Sequence, residues 1–373
     1  MSGPLEGVRV VELAGIGPAP FGVMLLADLG AEVILVDRAA SAGRGSQGGA
    51  LSRNRRSIAV DLKSEAGRDV VLQLVASADV LVEGFRPGVA ERLGVGPEDC
   101  HAVNPGLVYG RMTGWGQQGP MADRAGHDID YAAIAGALHP VGRPDDSPPP
   151  PINYVADFGG GGAYLAIGVL AALLERGRSG RGQVVDAAMV DGAASQTTML
   201  HGMLASGLWS TERGSNLLDG GAPYYDTYTC ADGRFLAVGA LEPQFFAELC
   251  DGLEIDPEEF PQFDQDNWGE HKRRMQAIIA TRTRDEWAER FDGTDACVAP
   301  VLALDEAPQH PHNVARGTFV EVDGVTQPGP APRFSRTPGA VQRPAPRAGD
   351  HTDEILAELE LDPADLRERG AVA

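Results

Sequence analysis

Residues 8–38, VRVVELAGIGPAPFGVMLLADLGAEVILVDR, decide the fold of this chain. Residues 8–13 are an apolar run interrupted only by Arg9 and Glu12, and a turn rich in glycine and proline follows. Apolar residues then recur at helical spacing over 21–29, and residues 31–36 form a second apolar run. A strand, a helix and another strand in this order predict a β-α-β unit with parallel strands.

The turn after the first strand is close to a dinucleotide-binding fingerprint. Gly15 and Gly17 lie in this turn, and the acidic Asp37 ends the second strand, as the fingerprint requires. The third glycine of the fingerprint, which lets the helix pack closely on the strand, is replaced by Pro20, and Arg38 follows the acidic residue. A nicotinamide-dependent oxidoreductase is therefore one alternative, and Pro20 argues against it.

Strands and helices continue to alternate along the first half of the chain. Residues 70–75 have helical spacing, and residues 80–82 and 107–112 have the pattern of strands. We therefore predict an α/β fold with a doubly wound, mostly parallel sheet. The nearly all-apolar residues 163–174 predict a helix that is buried on every side.

The pattern changes near residue 222, where a second domain is expected. Residues 228–238 predict a β-hairpin, and the helix that follows it has one apolar face. We predict a large, discontinuous domain made of residues 1–222 and 328–373, and a smaller α+β domain made of residues 223–327.

The net charge of the chain limits the classes of molecule that it is expected to bind. The 373 residues carry 53 acidic and 31 basic side chains, a formal net charge of −22, so we predict binding neither to nucleic acid nor to anionic membranes. A basic segment with Arg53, Arg55, Arg56 and Lys63 is the exception, and it predicts a local pocket for an anion. No apolar run reaches the roughly 20 residues that span a bilayer, and no targeting leader is recognisable, so we expect a cytoplasmic protein.

The four cysteines indicate neither a metal centre nor a disulfide framework. Cys100, Cys230, Cys250 and Cys297 are widely spaced, without Cys-x-x-Cys pairs and without a histidine at ligand spacing. We therefore predict no metal site and assign these cysteines no catalytic role.

Three regions carry side chains suited to acid/base chemistry: His127, Asp157 before a run of glycines, and Glu242 after the hairpin. Each also has an ordinary structural interpretation. A lone histidine is often a surface residue, Asp157 suits a helix N-cap, and Glu242 suits the first turn of a helix. Composition and spacing alone leave both interpretations open.

Several motifs, taken in chain order, resemble those of the family III CoA transferases. The similarity runs from residue 5 to residue 352, almost the whole chain, and it implies a two-domain α/β fold that binds CoA as part of its substrate. The motifs are Leu5-Glu6-Gly7-Val8-Arg9-Val10-Val11-Glu12, Asp28-Leu29-Gly30-Ala31-Glu32-Val33, Asn54-Arg55-Arg56-Ser57, Asp61-Leu62-Lys63, Glu83-Gly84-Phe85-Arg86-Pro87-Gly88 and Gly182-Gln183-Val184-Val185-Asp186.

Within that superfamily, the chain resembles the racemases that act on 2-methylacyl-CoA thioesters. The segment Gly126-His127-Asp128 is similar to theirs, whereas the transferases usually carry an aromatic residue at the position of His127. Asp157 lies where the racemases have a catalytic acid/base, and also where the transferases have the aspartate that forms an acyl anhydride. The resemblance therefore implies a racemase, an isomerase, with a CoA transferase that uses Asp157 as nucleophile as the alternative.

Inverting a stereocentre beside a thioester needs one group that removes the α-proton and another that returns a proton to the opposite face. His127 and Asp157 are the pair that the resemblance provides, and this scheme needs neither a metal nor another cofactor. The ordinary pKa values of an imidazole and a carboxylate, about 6.5 and 3.9, place neutral histidine with protonated aspartate about 3.5 kcal/mol above the ionised pair. We therefore expect that substrate burial raises the pKa of Asp157.

The resemblance also implies roles outside this pair. The backbone N–H of Asp128 would donate to the thioester oxygen. The resemblance implies an interlocked homodimer, in which Glu242 would act near His127 either of its own chain or of the partner chain. Branched fatty acids, bile-acid side chains and arylpropionates all present the same α-methyl thioester, so the acyl group stays open. The residues implied for CoA binding are Arg38, Arg53, Lys63, Glu83, Gly84 and Arg86.

Overall fold

The computed structural model describes residues 3–46 and 48–373. The strands in these residues are β1 (Arg9–Leu13), β2 (Glu32–Arg38), β3 (Arg55–Val60), β4 (Val80–Glu83), β5 (Val108–Thr113), β6 (Val184–Ala188), β7 (Tyr225–Thr229), β8 (Phe235–Gly239), β9 (Val298–Pro300), β10 (Phe319–Val322) and β11 (Val325–Pro328). Short 3₁₀ turns cover Ala39–Ser41, Gly49–Ser52, Gln265–Asn267 and Ala307–Gln309.

Helices connect the strands and follow them. They are α1 (Pro18–Asp28), α2 (Glu65–Ala76), α3 (Val89–Arg92), α4 (Pro97–Val103), α5 (Asp128–Ile134), α6 (Tyr164–Ser179), α7 (Met189–Gln196), α8 (Thr198–Ala205), α9 (Pro243–Leu253), α10 (Trp268–Ile279), α11 (Arg284–Phe291), α12 (Pro311–Arg316), α13 (Thr352–Glu358) and α14 (Pro363–Glu368). A π-helix, Tyr154–Ala163, continues directly into α6.

The main sheet has six parallel strands in the order β3-β2-β1-β4-β5-β6. The chain builds the sheet in one direction from β1 to β3 and in the other from β4 to β6, so the sheet is doubly wound, as predicted. The direction changes between β1 and β4, and in such sheets the carboxyl ends of these two strands leave a crevice that binds ligands. The loops after β1, β4 and β5 all lie at this edge.

Apolar side chains cover both faces of the central strands, which explains why their sequences are nearly continuous hydrophobic runs.

Helix α2 is one of the helices that cover the sheet, and the side chain of Ser64 caps it by accepting a hydrogen bond from the N–H of Gly67 at 3.0 Å. Helices α2, α13 and α14 close one side of this core, and the chain's C-terminal residues therefore pack with its first strands. The buried residues that these three helices contribute are Val70, Val71, Leu74, Val75, Ile355, Leu356 and Leu366.

The chain forms two compact units, and their bounds differ from those predicted at residues 222 and 327. The first unit is Met1–Ala137, Pro151–Gln196 and Val314–Ala373, and the second is Leu138–Pro150 and Thr197–Asn313. The hairpin β10–β11 belongs to the first unit because the buried Arg53 holds it. The guanidinium of Arg53 donates to Oε1 of Gln327 at 2.8 Å and to the carbonyl of Pro328 at 2.7 Å.

The second unit contains the antiparallel sheet β7-β8-β9. The hairpin β7–β8 and the amphipathic α9 agree with the sequence prediction. Leu138–Pro150 joins this unit because Arg213 donates to the main-chain carbonyls of His139, Arg143 and Asp146. Arg143 in turn pairs with Asp226 of β7, at 2.6 Å between Nη1 and Oδ2.

The apolar α6 is buried on one face only, so the prediction that it is buried on every side is wrong. Leu165 and Val169 are fully buried, whereas Ile167 is 60% exposed and Leu174 is 76% exposed. The continuous helix Tyr154–Ser179 is long enough and apolar enough to cross a membrane. Core helices of soluble proteins meet the same criterion of length and composition. The apolar pattern therefore extends onto a surface that this chain leaves uncovered.

Candidate active site

A cavity of about 380 Å³ lies at the edge of the sheet where the strand order reverses. Its walls come from the loops after β1, β4 and β5 and from the segments that carry His127 and Asp157. The structure thus brings together two residues that lie 30 positions apart in the sequence. The residues lining the cavity include Ile16, Gly17, Gly84, Phe85, Arg86, Trp115, Arg124, Gly126, His127, Tyr131 and Asp157.

His127 is the residue that directly precedes α5. Its backbone is extended, its side chain is exposed to the cavity, and its N–H donates to Oδ2 of Asp130 at 3.0 Å. Gly126 before it packs closely on two aromatic rings. A Cβ at Gly126 would lie 2.7 Å from the ring of Tyr131 and 2.9 Å from that of Trp115, so a side chain at this position would displace His127.

Asp157 lies in the first turn of the π-helix Tyr154–Ala163, which packs directly on α1 and α7. The glycine run after it allows this packing. A Cβ at Gly160 would lie 2.5 Å from the backbone nitrogen of Ala193, and one at Gly192 would lie 1.8 Å from the carbonyl oxygen of Gly160. The backbones therefore touch, and π-helices often occur at functional sites such as this one.

The environment of Asp157 raises its pKa from 3.8 to about 6. Burial of the carboxyl is the largest cause, the negative charge of Asp128 adds to it, and His127 opposes it. The sequence alone predicts that bound substrate raises this pKa. The protein already does so without substrate, because Asp157 is half-buried and has a second carboxylate beside it.

The side chain of Asp128 is the feature of the site that the sequence did not reveal. The sequence pointed only to its backbone N–H, which is at the first position of α5 and has no partner inside that helix. Its buried carboxylate accepts hydrogen bonds from the N–H groups of Ala156 and Asp157, both at 2.8 Å. An aspartate at the start of a helix is so common that no local signal distinguishes it.

The basic segment is mostly structural, which corrects the prediction for Arg53. Arg53 is 3% exposed, and its guanidinium pairs with Asp28 at 2.5 Å in addition to its bonds to the β10–β11 hairpin. Arg55 is fully buried against Glu12, at 2.5 Å between Nε and Oε2. Arg56 pairs with Glu32, Glu354 and Glu358. Arg53 and Arg55 neutralise buried carboxylates, Arg56 pairs with carboxylates that are partly or fully exposed, and none of the three lines either cavity described in this section.

Glu83 also has a structural position, so the prediction that it contacts CoA is corrected. Its side chain is fully buried and pairs with Arg111 at 2.8 Å. The second oxygen accepts from the N–H of Phe85 at 2.6 Å, which fixes the turn of the loop after β4. Burial raises the pKa of Glu83, and the pairing with Arg111 opposes that rise. Glu83 thereby shapes the loop that presents Gly84 and Arg86 to the cavity.

A second cavity in the first unit, of about 680 Å³, lies at the ends of β2 and β3. Arg38 and Lys63 line it together with apolar side chains from β2 and α3, and Phe85 lines both cavities. Among the described residues, neither Arg38 nor Lys63 has an ion-pair partner. These two cations, unlike Arg53, are free to bind an anion.

Glu242 belongs to the second unit. It is exposed at the N-cap of α9, where Pro243 begins the helix, and its side chain makes no capping hydrogen bond. Its charge raises the pKa of the nearby Cys297 thiol, after burial as the larger cause. Glu242 is therefore an accessible carboxylate on the second unit.

Comparisons with known proteins agree with this geometry. Residues 5–352 match the model of the CoA-transferase family III. The chain belongs to the CoA-transferase family III. Family membership accounts for the doubly wound sheet, and it makes CoA thioesters the class of compound to consider for the two cavities.

Within the CoA-transferase family III, the chain is similar to two mammalian racemases. Alpha-methylacyl-CoA racemase of Mus musculus is 49% identical over 358 residues, and that of Homo sapiens is 46% identical over 358 residues. Each alignment covers 95% of this chain and 93% of the relative. Among solved structures, a CAIB/BAIF family protein from Brucella suis has a TM-score of 0.82 at 30% identity, covering 96% of this chain and 100% of that one.

Proposed function

We propose that this protein is an isomerase that interconverts the (R) and (S) forms of 2-methylacyl-CoA thioesters. The observation that carries the proposal is the convergence of His127 and Asp157 in one cavity at the switch point of the sheet. The similarity to two racemases, close to half of all aligned positions, supports the same reaction.

The chemistry follows from the two side chains. One group of the pair takes the α-proton from the substrate, leaving an enolate of the thioester, and the other gives a proton to the opposite face of the α-carbon. The pair holds one proton before the reaction, two while the enolate exists, and one again after the product has formed, with the protonated and ionised members exchanged. With a pKa of about 6, the carboxyl of Asp157 is readily protonated or ionised near neutral pH, so it can serve as either the acid or the base of the reaction.

The enolate oxygen also needs a hydrogen-bond donor. The backbone N–H of Asp128, at the first position of α5, lies beside His127 and has no partner within its helix. In this proposal it donates to the thioester oxygen, where negative charge develops during the reaction. All of these steps use groups of the protein, so we expect activity without an added metal or nicotinamide.

The cavity with Arg38 and Lys63 would hold the phosphates of CoA, and Gly84 and Arg86 would contact the part of CoA nearest the thioester. Positively charged donors bind phosphate oxygens through charge-assisted hydrogen bonds. Arg38 and Lys63 line a cavity of about 680 Å³, and Phe85 lines both this cavity and the active-site cavity.

Replacing Lys63 with alanine is expected to raise KM for the CoA thioester about tenfold, because one hydrogen bond to a charged group contributes about 1.5 kcal/mol. The turnover number should change little, since Lys63 does not line the cavity with His127 and Asp157. Steady-state kinetics checks this result, with Arg181→Ala as a control because Arg181 is exposed and lines neither cavity. Equal KM values for the two variants would contradict the assignment.

We also propose that the protein is a homodimer. The exposed apolar side chains Ile167 and Leu174 of α6 would be covered by a second copy, since large apolar patches on a soluble protein usually mark an interface. In this assembly, Glu242 of one chain would act near His127 of the other. We expect the enzyme and its water-soluble CoA substrates in the cytoplasm.

Light scattering is expected to give twice the chain mass of 39.2 kDa. Replacing Leu174 with glutamate should shift the mass toward that of one chain, because a charge would then be buried without a partner. Glutamate at Val325, another exposed apolar residue but one in the β10–β11 hairpin, is the control and should leave the mass unchanged. A single-chain mass for the unmodified protein would refute the dimer.

The proposed reaction is tested by proton NMR with one epimer of a 2-methylacyl-CoA in deuterated buffer. Loss of the α-proton signal, together with appearance of the other epimer, is the expected result. If the α-proton persists and an added carboxylic acid receives CoA, the reaction is a transfer with Asp157 as nucleophile. Hydroxylamine would then trap the acyl group on Asp157, which contradicts the racemase proposal.

A further inference from the structure

The carboxylate of Asp128 joins two segments of the active site. It is 4% exposed, and its Oδ2 accepts hydrogen bonds from the N–H groups of Ala156 and Asp157, both at 2.8 Å. Its other oxygen, Oδ1, is buried and has no partner in the part of the chain that the structure describes. The charge of Asp128 therefore lies next to the backbone that carries Asp157.

The π-helix depends on these two bonds. A helix with i to i+5 hydrogen bonds leaves its first N–H groups without partners inside the helix, and the first such bond here runs from Phe158 to the carbonyl of Asn153 at 3.1 Å. Asn153, at the N-cap, supplies no side-chain hydrogen bond. Asp128 thus does the capping from 28 residues away, and it does so at the turn that contains Asp157.

The first turn of α5, which contains Asp128, also holds the backbone of His127, the other member of the acid/base pair. Asp128 directly follows His127, and Asp130 in the first turn of α5 accepts the N–H of His127 at 3.0 Å. One turn of α5 therefore fixes the backbone of His127 through Asp130 and that of Asp157 through Asp128. The relative position of the two groups is set by this turn.

We propose that Asp128 is the positioning residue of the acid/base pair. Its carboxylate holds the backbone of Asp157 at a fixed place relative to His127, and its negative charge favours the state of the pair in which Asp157 carries the proton. This inference rests on the proposed function and adds to it a role for the side chain of Asp128, separate from that of its backbone N–H.

The electrostatic surroundings of Asp157 support this role. Burial raises its pKa most, Asp128 raises it further, and His127 lowers it. Other charges near the π-helix are paired or exposed, as for Asp28 with Arg53 and Arg111 with Glu83, so Asp128 is the fixed negative charge that acts on Asp157. The titratable or charged groups on neighbouring elements are Asp28 of α1, Arg86 after β4, Arg111 of β5, Arg124, His127, Asp130 and Tyr131 around α5, Asp186 of β6 and Asp191 of α7.

Replacing Asp128 with asparagine tests the role of the charge, because asparagine keeps an oxygen that can accept the two N–H bonds. The midpoint at which Asp157 titrates, followed by carbon NMR of protein labelled with carboxyl-¹³C aspartate, should fall by about one pH unit. The Asp157→Asn protein identifies the signal. The acidic limb of the rate profile should move down with it, the turnover number should fall about tenfold, and KM should change less than twofold.

Two further variants separate position from charge. Asp128→Glu keeps the charge and moves the carboxylate, so the titration midpoint should remain near its original value while the turnover number falls. Asp123→Asn removes an exposed carboxylate that does not line the cavity, and it should change neither quantity. A merely structural role of Asp128 would reduce stability in both Asp128 variants without moving the midpoint.

Different results would refute the racemase reaction and the role of Asp128. Unmodified protein that exchanges no α-proton refutes the racemase reaction before any variant is made. Unmodified protein that exchanges the proton, with a midpoint and an acidic limb that stay unchanged in Asp128→Asn, refutes only the role of Asp128. If Asp128→Asn does not fold, a midpoint in Asp128→Glu that falls as far as expected for loss of the charge also refutes it.

Discussion

Replacing Asp157 with asparagine is expected to remove α-proton exchange and to make the protein more stable at neutral pH. The loss of activity should be at least about a thousandfold, because an amide can neither take nor give the proton that the reaction moves. The gain in stability follows from the same environment. Burial and Asp128 raise the pKa of Asp157 from 3.8 to about 6, so the ionised carboxylate is unfavourable in the folded protein.

The sign of the pH dependence follows from proton binding. The folded state holds the proton of Asp157 more tightly than the unfolded state, so this group favours folding fully below pH 3.8. That contribution is lost as the pH rises through about 6. The shift corresponds to about 3 kcal/mol, an upper value for a half-buried group. Asparagine carries no charge, and its advantage over the natural residue should therefore grow from pH 4 to pH 8.

Thermal unfolding at pH 4.5 and pH 8 measures this difference, together with the isotope exchange rate. Asp123→Asn is the matched control, because Asp123 is an exposed carboxylate whose loss should affect neither measurement. An Asp157→Asn protein whose stability relative to the natural protein is the same at both pH values would contradict the assigned pKa. Retained exchange would contradict the role of Asp157 in the reaction.

Replacing Gly192 with alanine is expected to destabilise the protein by about 3 kcal/mol or more, at the upper end for an overpacked site. The added Cβ would lie 1.8 Å from the carbonyl oxygen of Gly160. Both atoms belong to packed helices, so neither side-chain rotation nor a small shift can relieve the overlap. The π-helix would move, and Asp157 with it, so activity should fall as well.

Gly269→Ala is the control for this substitution. Gly269 is an exposed glycine in α10, and a Cβ there would have no atom within 4 Å. Alanine at that position should leave the melting temperature unchanged or raise it slightly, because alanine favours a helix over glycine by about 1 kcal/mol. Melting temperatures of both variants check the prediction, and a Gly192→Ala protein as stable as the natural one would contradict it.

The sequence predicted β1, β2, β4 and β5 because the apolar run of each of these strands is a local signal. It did not predict β3 or β6, because β3 begins with Arg55 and Arg56 of the basic segment and the first three residues of β6 are not buried. The bounds of the two units were harder to predict from the sequence than these strands. The positions of 138–150 and of the β10–β11 hairpin depend on Arg213 and Arg53, whose partners lie up to 275 residues away.

The residues of the candidate site also differ in how well the sequence predicted their roles. His127 and Asp157 carry a motif, and the structure places both in one cavity. A positive charge in the sequence does not by itself identify a ligand-binding residue, since Arg38 and Arg53 carry the same side chain but have different roles. Arg38 lines a cavity, whereas Arg53 neutralises Asp28 in the interior. Which buried acid lies next to a given arginine is a property of the tertiary structure.

The path of the chain between the acid and the base has a practical consequence. Residues 138–150 belong to the second unit, whereas His127 before them and Asp157 after them belong to the first. A cut between Pro144 and Asp145, both exposed, would place the imidazole on one fragment and the carboxyl on the other. Neither fragment would hold a complete proton relay, so recovered turnover would report their reassociation, which makes this loop a natural point for a split-enzyme sensor.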